Sequence, residues 1–168
     1  ADKSDRPKDG AGVALTPLNR TIEDNRIVYD NVLVEIDREL AKATITISAP
    51  LEAPPSDAAA IQAQGAAFWP LALARELDDA VLELRANELE VGTWVFRATG
   101  DADMVEAADK ALLDNADHWL VREITLYLKR SLKRIDVSAR SLIALIEPGT
   151  CFTGTLLDIA LVCDRGYM

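Results

Sequence analysis

The feature that most constrains this chain is the run Leu142-Ile143-Ala144-Leu145-Ile146, five consecutive apolar residues closed by Glu147-Pro148-Gly149. A strand with one face in water alternates apolar and polar residues. An uninterrupted apolar run this short predicts a strand buried on both faces, as in parallel sheets flanked by helices. Parallel neighbours need crossovers of a dozen or more residues, usually helical. Such patterns lie on both sides of the run. Before it, Asp117 to Ile135 carries a stripe of Leu120, Ile124, Tyr127, Leu128, Ser131 and Ile135; after it, Gly154 to Val162 reads as a small apolar helix. Arg165 to Met168 then opens another strand.

Upstream, Val32, Val34 and Ile36, and then Ala43, Ile45 and Ile47, alternate with less apolar neighbours. That period of two predicts a hairpin, although the turn lacks Asn-Gly or Asp-Gly. Ser56 or Asp57 can cap a short helix reaching Gln64, which Gly65 ends. Leu73, Leu77, Ala80, Val81 and Leu84 line one face of a helix from Pro70 to Asn87. Val91 to Ala98 reads as a largely buried strand, and Asp103 to Leu113 as a short helix; this helix and the one from Asp117 are both expected to pack on a sheet. The order predicts an α/β fold with parallel strands and right-handed crossovers. Residues 1–20 mix Lys, Asp, Gly and Pro without a period and read as a linker, leaving 21–168 as one domain. No internal repeat is seen.

A net charge of −10 and a pI near 4.6 argue against nucleic acid or an anionic membrane as partner. No stretch approaches the roughly 20 apolar residues of a membrane span. Cys151, Cys163 and the single histidine, His118, are too few for a zinc cluster or a disulfide framework, so no metal is expected and a reducing, cytoplasmic setting fits.

Ligands of parallel sheets sit at strand carboxyl ends, here after Ala98 and after Ile146. In the second loop, Pro148 to Thr155 leads into a helix, so N–H groups near Gly154 and Thr155 lack intrahelical partners and face anything negative. The same composition also makes an ordinary turn. Cys151 lies in this loop without a neighbouring base and reads as structural. His118 reads as a capping or packing residue, and Trp69 and Trp94 as core aromatics. Lys129, Arg130, Lys133 and Arg134 form a basic helix face, either solvated or open to phosphates.

The stretch from Ser141 to Asp164 resembles the signature of the crotonase superfamily: an apolar strand, a glycine-containing turn, a carboxylate, Ile-Ala and Cys-Asp. The resemblance extends back through Asn31 to Pro50, Glu76 to Arg85 and Thr93 to Gly100, about 80% of the chain. Phe68-Trp69-Pro70-Leu71, Asn87 to Arg97, Asp117-His118-Trp119 and Ile146-Glu147-Pro148-Gly149 further resemble the benzoyl-CoA-dihydrodiol lyase family. That resemblance implies that 21–168 is the amino-terminal part of a crotonase-like domain, its fold incomplete at the carboxyl end, and that the chain is the linker and opening half of the second of two crotonase-like regions in a longer protein. It implies that the whole enzyme opens the ring of epoxidised benzoyl-CoA in aerobic benzoate degradation, giving formate and an aldehyde-bearing acyl-CoA.

It further implies an acyl-CoA substrate, no separate cofactor, and a homo-oligomer completed by the rest of its own chain. The family's first catalytic carboxylate falls on Asp158; its second lies beyond Met168. The oxyanion N–H groups fall on Ala107 in one turn and on Gly154 and Thr155 in the other; with such a substrate, Lys129, Arg130, Lys133 and Arg134 are the candidates for the CoA phosphates, the alternative being the solvated side of the helix. The family's Phe-Ser-Ala-Gly and Gly-Gly-Gly turns are missing here, which disfavours an ordinary enoyl-CoA hydratase or isomerase. It leaves open a non-catalytic module serving structure or dimerisation, and the fragment alone is expected to be inactive.

Overall fold

The computed structural model describes residues 12–168; the first eleven residues of the expected linker lie outside the described residues. The hairpin forms where the alternation places it, as β3 (Val32–Asp37) and β4 (Lys42–Ser48), paired antiparallel from Val32↔Ile47 to Asp37↔Lys42. Its turn closes without Asn-Gly because the Asp37 carboxylate accepts the Leu40 N–H at 3.0 Å and Ala41 takes a left-handed φ of 50°. Two short strands precede it, β1 (Thr21–Ile22) and β2 (Arg26–Val28), which place Ile27 and Tyr29 in the core.

The parallel part follows through β5 (Thr93–Thr99), β6 (Ser141–Leu145) and β7 (Arg165–Tyr167). The seven strands of the described residues lie in one sheet in sequence order, β1 to β4 antiparallel and β4 to β7 parallel. The crossovers carry α1 (Ala58–Gln64), α2 (Trp69–Asn87), α3 (Ala102–Asp114), α4 (Trp119–Asp136) and α5 (Gly154–Val162). The first helix is capped by Asp57, whose carboxylate accepts the Ala60 N–H at 2.9 Å.

One face of the sheet is sealed. Val34, Ala43, Ile45, Ile47, Trp94, Phe96 and Leu142 pack against Leu73, Leu77, Val81 and Leu84 of α2, Val105 and Ala108 of α3, and Leu156 and Ile159 of α5. The opposite face is only half-buried at Leu33, Thr44, Thr46, Val95, Arg97, Ile143 and Leu145. The expectation that the Leu142–Ile146 run is buried on both faces is therefore corrected: Leu142 and Ala144 are covered, while Ile143 and Leu145 are not, because no described helix lies over that face.

A second correction concerns α4. It packs on α2 rather than on the sheet, with further contacts to α1, α3 and α5. Its Leu120, Val121, Ile124 and Leu128 build a separate cluster with Ile61, Phe68 and Leu71, and Ile135 reaches the main core. Helix α2 is thus the middle layer, and two adjacent carboxylates bind it to opposite neighbours. Asp78 accepts from Arg134 and from the Tyr127 hydroxyl of α4. Asp79 accepts from the Tyr29 hydroxyl at 2.8 Å and from Arg20 at 2.7 Å. One turn earlier, buried Glu76 accepts the Asn31 N–H and side-chain amide at 2.7 and 2.8 Å.

Residues 12–20 have no regular structure, yet they lie against the domain. Leu18 packs on the main core, Val13 on the second cluster, and Arg75 donates to the Thr16 carbonyl at 2.5 Å. Trp69 and Trp94 are core residues, as read from the sequence, and the Trp69 indole donates to the Ser48 carbonyl at 3.0 Å.

Candidate functional site

The carboxyl ends of β4, β5 and β6 bring together the loop after Ser48, the turn at Gly100 and the segment 146–153. Backbone hydrogen bonds stitch these loops to one another: Ala49 N–H to the Thr99 carbonyl at 2.8 Å and Cys151 N–H to the Ala98 carbonyl at 3.2 Å. Gly100 is required here, since a Cβ would stand 2.8 Å from that of Ala49 and its φ is +116°. What remains open at the strand ends is a hollow of about 270 Å³ bordered by Pro50, Leu51, Trp69 and Ala108.

The larger opening lies to one side, a groove of about 880 Å³ between α3, α4 and α5. Leu112 and Leu113, Leu128 and Leu132, and Leu161 and Val162 give it apolar walls. Several of the residues singled out in the sequence meet here: Gly154, Thr155 and Asp158 from α5, and Lys129 and Lys133 from α4. Arg130 and Arg134 do not. The Arg130 guanidinium sits 4.5 Å above the Tyr127 ring and Arg134 is paired with Asp78. The basic face is thus divided by the helical period, leaving two of its four cations at the groove. Lys133 is itself paired with Asp136.

The amino terminus of α5 is not empty. Asp109 of α3 accepts the Thr155 N–H through one carboxylate oxygen and the Thr155 hydroxyl through the other, both at 2.6 Å. One turn earlier on α3, Glu106 accepts the Thr153 hydroxyl at 2.7 Å. Ala107 does not face this site with a free N–H, because it is the sixth residue of α3 and its amide belongs to the helical ladder. The two expected oxyanion donors are therefore not assembled as a pair. Asp158 is exposed and joined to no other described residue by a hydrogen bond or ion pair.

Asp109 and Glu106 went unread in the sequence. The signal was present: two carboxylates three residues apart on one helix, and a later helix with no acidic residue in its own first turn.

Cys151 is 2% exposed, and burial pushes its thiol up from the ordinary cysteine range. With no base beside it, it serves as a small core residue. Burial and the neighbouring Asp164 raise Cys163 to about 11. His118 stands at the position before α4 without capping it through its side chain, its ring 5.8 Å from that of Trp119. Among the described residues no group of His, Cys, Asp or Glu has the arrangement of a metal site, and no helix is long and apolar enough to cross a membrane.

No family model matches the chain. Over all 168 residues it is 51% identical to a benzoyl-CoA-dihydrodiol lyase of Aromatoleum evansii, and it spans 30% of that protein's length. The crystal structure of an enoyl-CoA hydratase from Geobacillus kaustophilus HTA426 superposes on 85% of this chain and 47% of that one. The TM-score is 0.50 at 16% identity. The fold is thus crotonase-like, as the motifs implied, and the likeness to the lyase runs the whole length of the chain.

Proposed function

We propose that this chain is a segment of a benzoyl-CoA-dihydrodiol lyase. In this reading the full-length enzyme opens the ring of epoxidised benzoyl-CoA to formate and an aldehyde-bearing acyl-CoA, and this segment supplies scaffold and part of the acyl-CoA surface. The observation that carries the reading is the 51% identity over all 168 residues. Thioester chemistry of this kind wants a positioned carboxylate pair together with an oxyanion hole. Here Asp158 stands alone, and the Thr155 N–H is already engaged. The reacting carboxylates accordingly belong elsewhere in the full-length protein, and the segment alone is inactive.

Lys129 and Lys133 are the cations placed to meet CoA phosphates, while Arg130 and Arg134 hold α4 together and against α2. The reading needs no cofactor beyond the CoA thioester itself and sets the enzyme in the cytoplasm. It includes assembly with further copies and with the rest of the chain, which would cover Leu113 and Leu161, 76% and 71% exposed at the groove.

The test is steady-state kinetics of the full-length enzyme on the epoxide, following formate. Asp158→Asn is expected to leave kcat within about twofold, and the pair Lys129→Ala with Lys133→Ala to raise KM severalfold at unchanged kcat. A loss in kcat of about a hundredfold for Asp158→Asn, on the scale of a general acid or base, would make this segment catalytic. Absence of formate from the wild-type enzyme would remove the lyase reading.

A further inference from the structure

We infer that Asp109 is a built-in ligand of the α5 amino terminus, closing that position to external anions, and that residue 154 is glycine to make room for it.

A helix start commonly satisfies its first N–H groups from its own sequence, through a capping side chain or an acidic residue in the first turn. Helix α5 uses neither. Its first turn has no acidic residue, and the hydroxyl of Thr153, at the cap position, is turned away to Glu106. The missing acceptor comes instead from α3, 46 residues earlier in the chain. Both oxygens of Asp109 are committed to one residue, the N–H and the hydroxyl of Thr155, at 2.6 Å each. A ligand oxygen approaching that N–H must displace a carboxylate held by two hydrogen bonds. It also meets the second negative charge of Glu106 beside it.

Gly154 completes the case. A Cβ built there would stand 1.9 Å from the Asp109 Oδ2, a separation no real structure sustains, and its φ of +47° is one that glycine adopts freely. From sequence alone, a glycine in such a turn makes space for a ligand. In this fold the space is taken by the chain's own carboxylate. Asp109 is therefore a positioning residue that ties α3 to α5, and this role does not depend on which reaction the full-length protein performs.

The experiment is an NMR titration of the ¹⁵N-labelled 168-residue chain with inorganic phosphate, following the Thr155 amide in wild type and in Asp109→Ala. The wild-type resonance is expected to stay in place while that of the variant shifts and saturates. Equal shifts in both proteins, or none in either, would overturn the inference. A double-mutant cycle covers the case in which Asp109→Ala fails to fold. Gly154→Ala is expected to lower the folding equilibrium constant roughly tenfold more in wild type than in Asp109→Ser, whose shorter side chain leaves room for the methyl group. Backbone strain at residue 154 is common to both arms and cancels, so equal losses would refute the steric argument.

Discussion

Glu76 allows the balance between burial and hydrogen bonding to be measured directly. It is 4% exposed on α2 and accepts two hydrogen bonds from Asn31. Burial is nonetheless the larger influence, and Asp30 adds to it, so the carboxyl is held above its usual value of 4.5 despite the Asn31 contacts. A folded-state pKa above the unfolded one means that Glu76 stabilises the fold fully below about 4.5 and that this contribution is lost as pH rises through the raised value.

Glu76→Gln keeps the shape and removes the charge. Its amide accepts the Asn31 N–H, and a flipped Asn31 side chain can satisfy the remainder. Every tenfold change in proton affinity is worth about 1.4 kcal/mol, so the wild type should gain on the variant as the pH falls from about 8 to about 4.5, in proportion to the rise in the Glu76 pKa. Urea unfolding of both proteins across that range is the assay, and taking the difference cancels the other carboxylates. A flat difference, or a wild type that gains as pH rises, would refute the reasoning and mean that the Asn31 hydrogen bonds outweigh burial.

Phe96→Ala, at a fully buried position in the middle of β5, should cost about 3–5 kcal/mol in the same assay with the fold retained. Alkylation at pH 8 should leave Cys151 untouched and modify Cys163 slowly, since a thiol at about 11 is almost entirely protonated there; rapid labelling of native protein, read by mass spectrometry, would contradict the burial of Cys151 or the raised pKa of half-buried Cys163.

The elements with a strong period were legible. The hairpin alternation, the α2 stripe and the Leu142–Ile146 run each had enough residues for the period to rise above noise, and each element lies within a few residues of its expected bounds. Strands β1 and β2, of two and three residues, are too short to show a period; β2 is held by its pairing with β3, and β1 by its pairing with β2. The run at β6 gave the strand but not its surroundings, because apolar side chains record what a position tolerates, not what covers it. The basic face of α4 was visible as composition, whereas its division depended on partners, Tyr127 on the same helix and Asp78 on another. Asp109 was hidden for a related reason: its meaning arises only when α3 and α5 lie side by side.

Among the described residues the sheet has its strands in the same order as the chain, with no later strand inserted between earlier ones. During synthesis each strand therefore leaves the ribosome to find its partner already in place, and no gap must be held open for a segment still to come. Within this segment the sheet grows at one border, so each added strand rests on a neighbour formed before it.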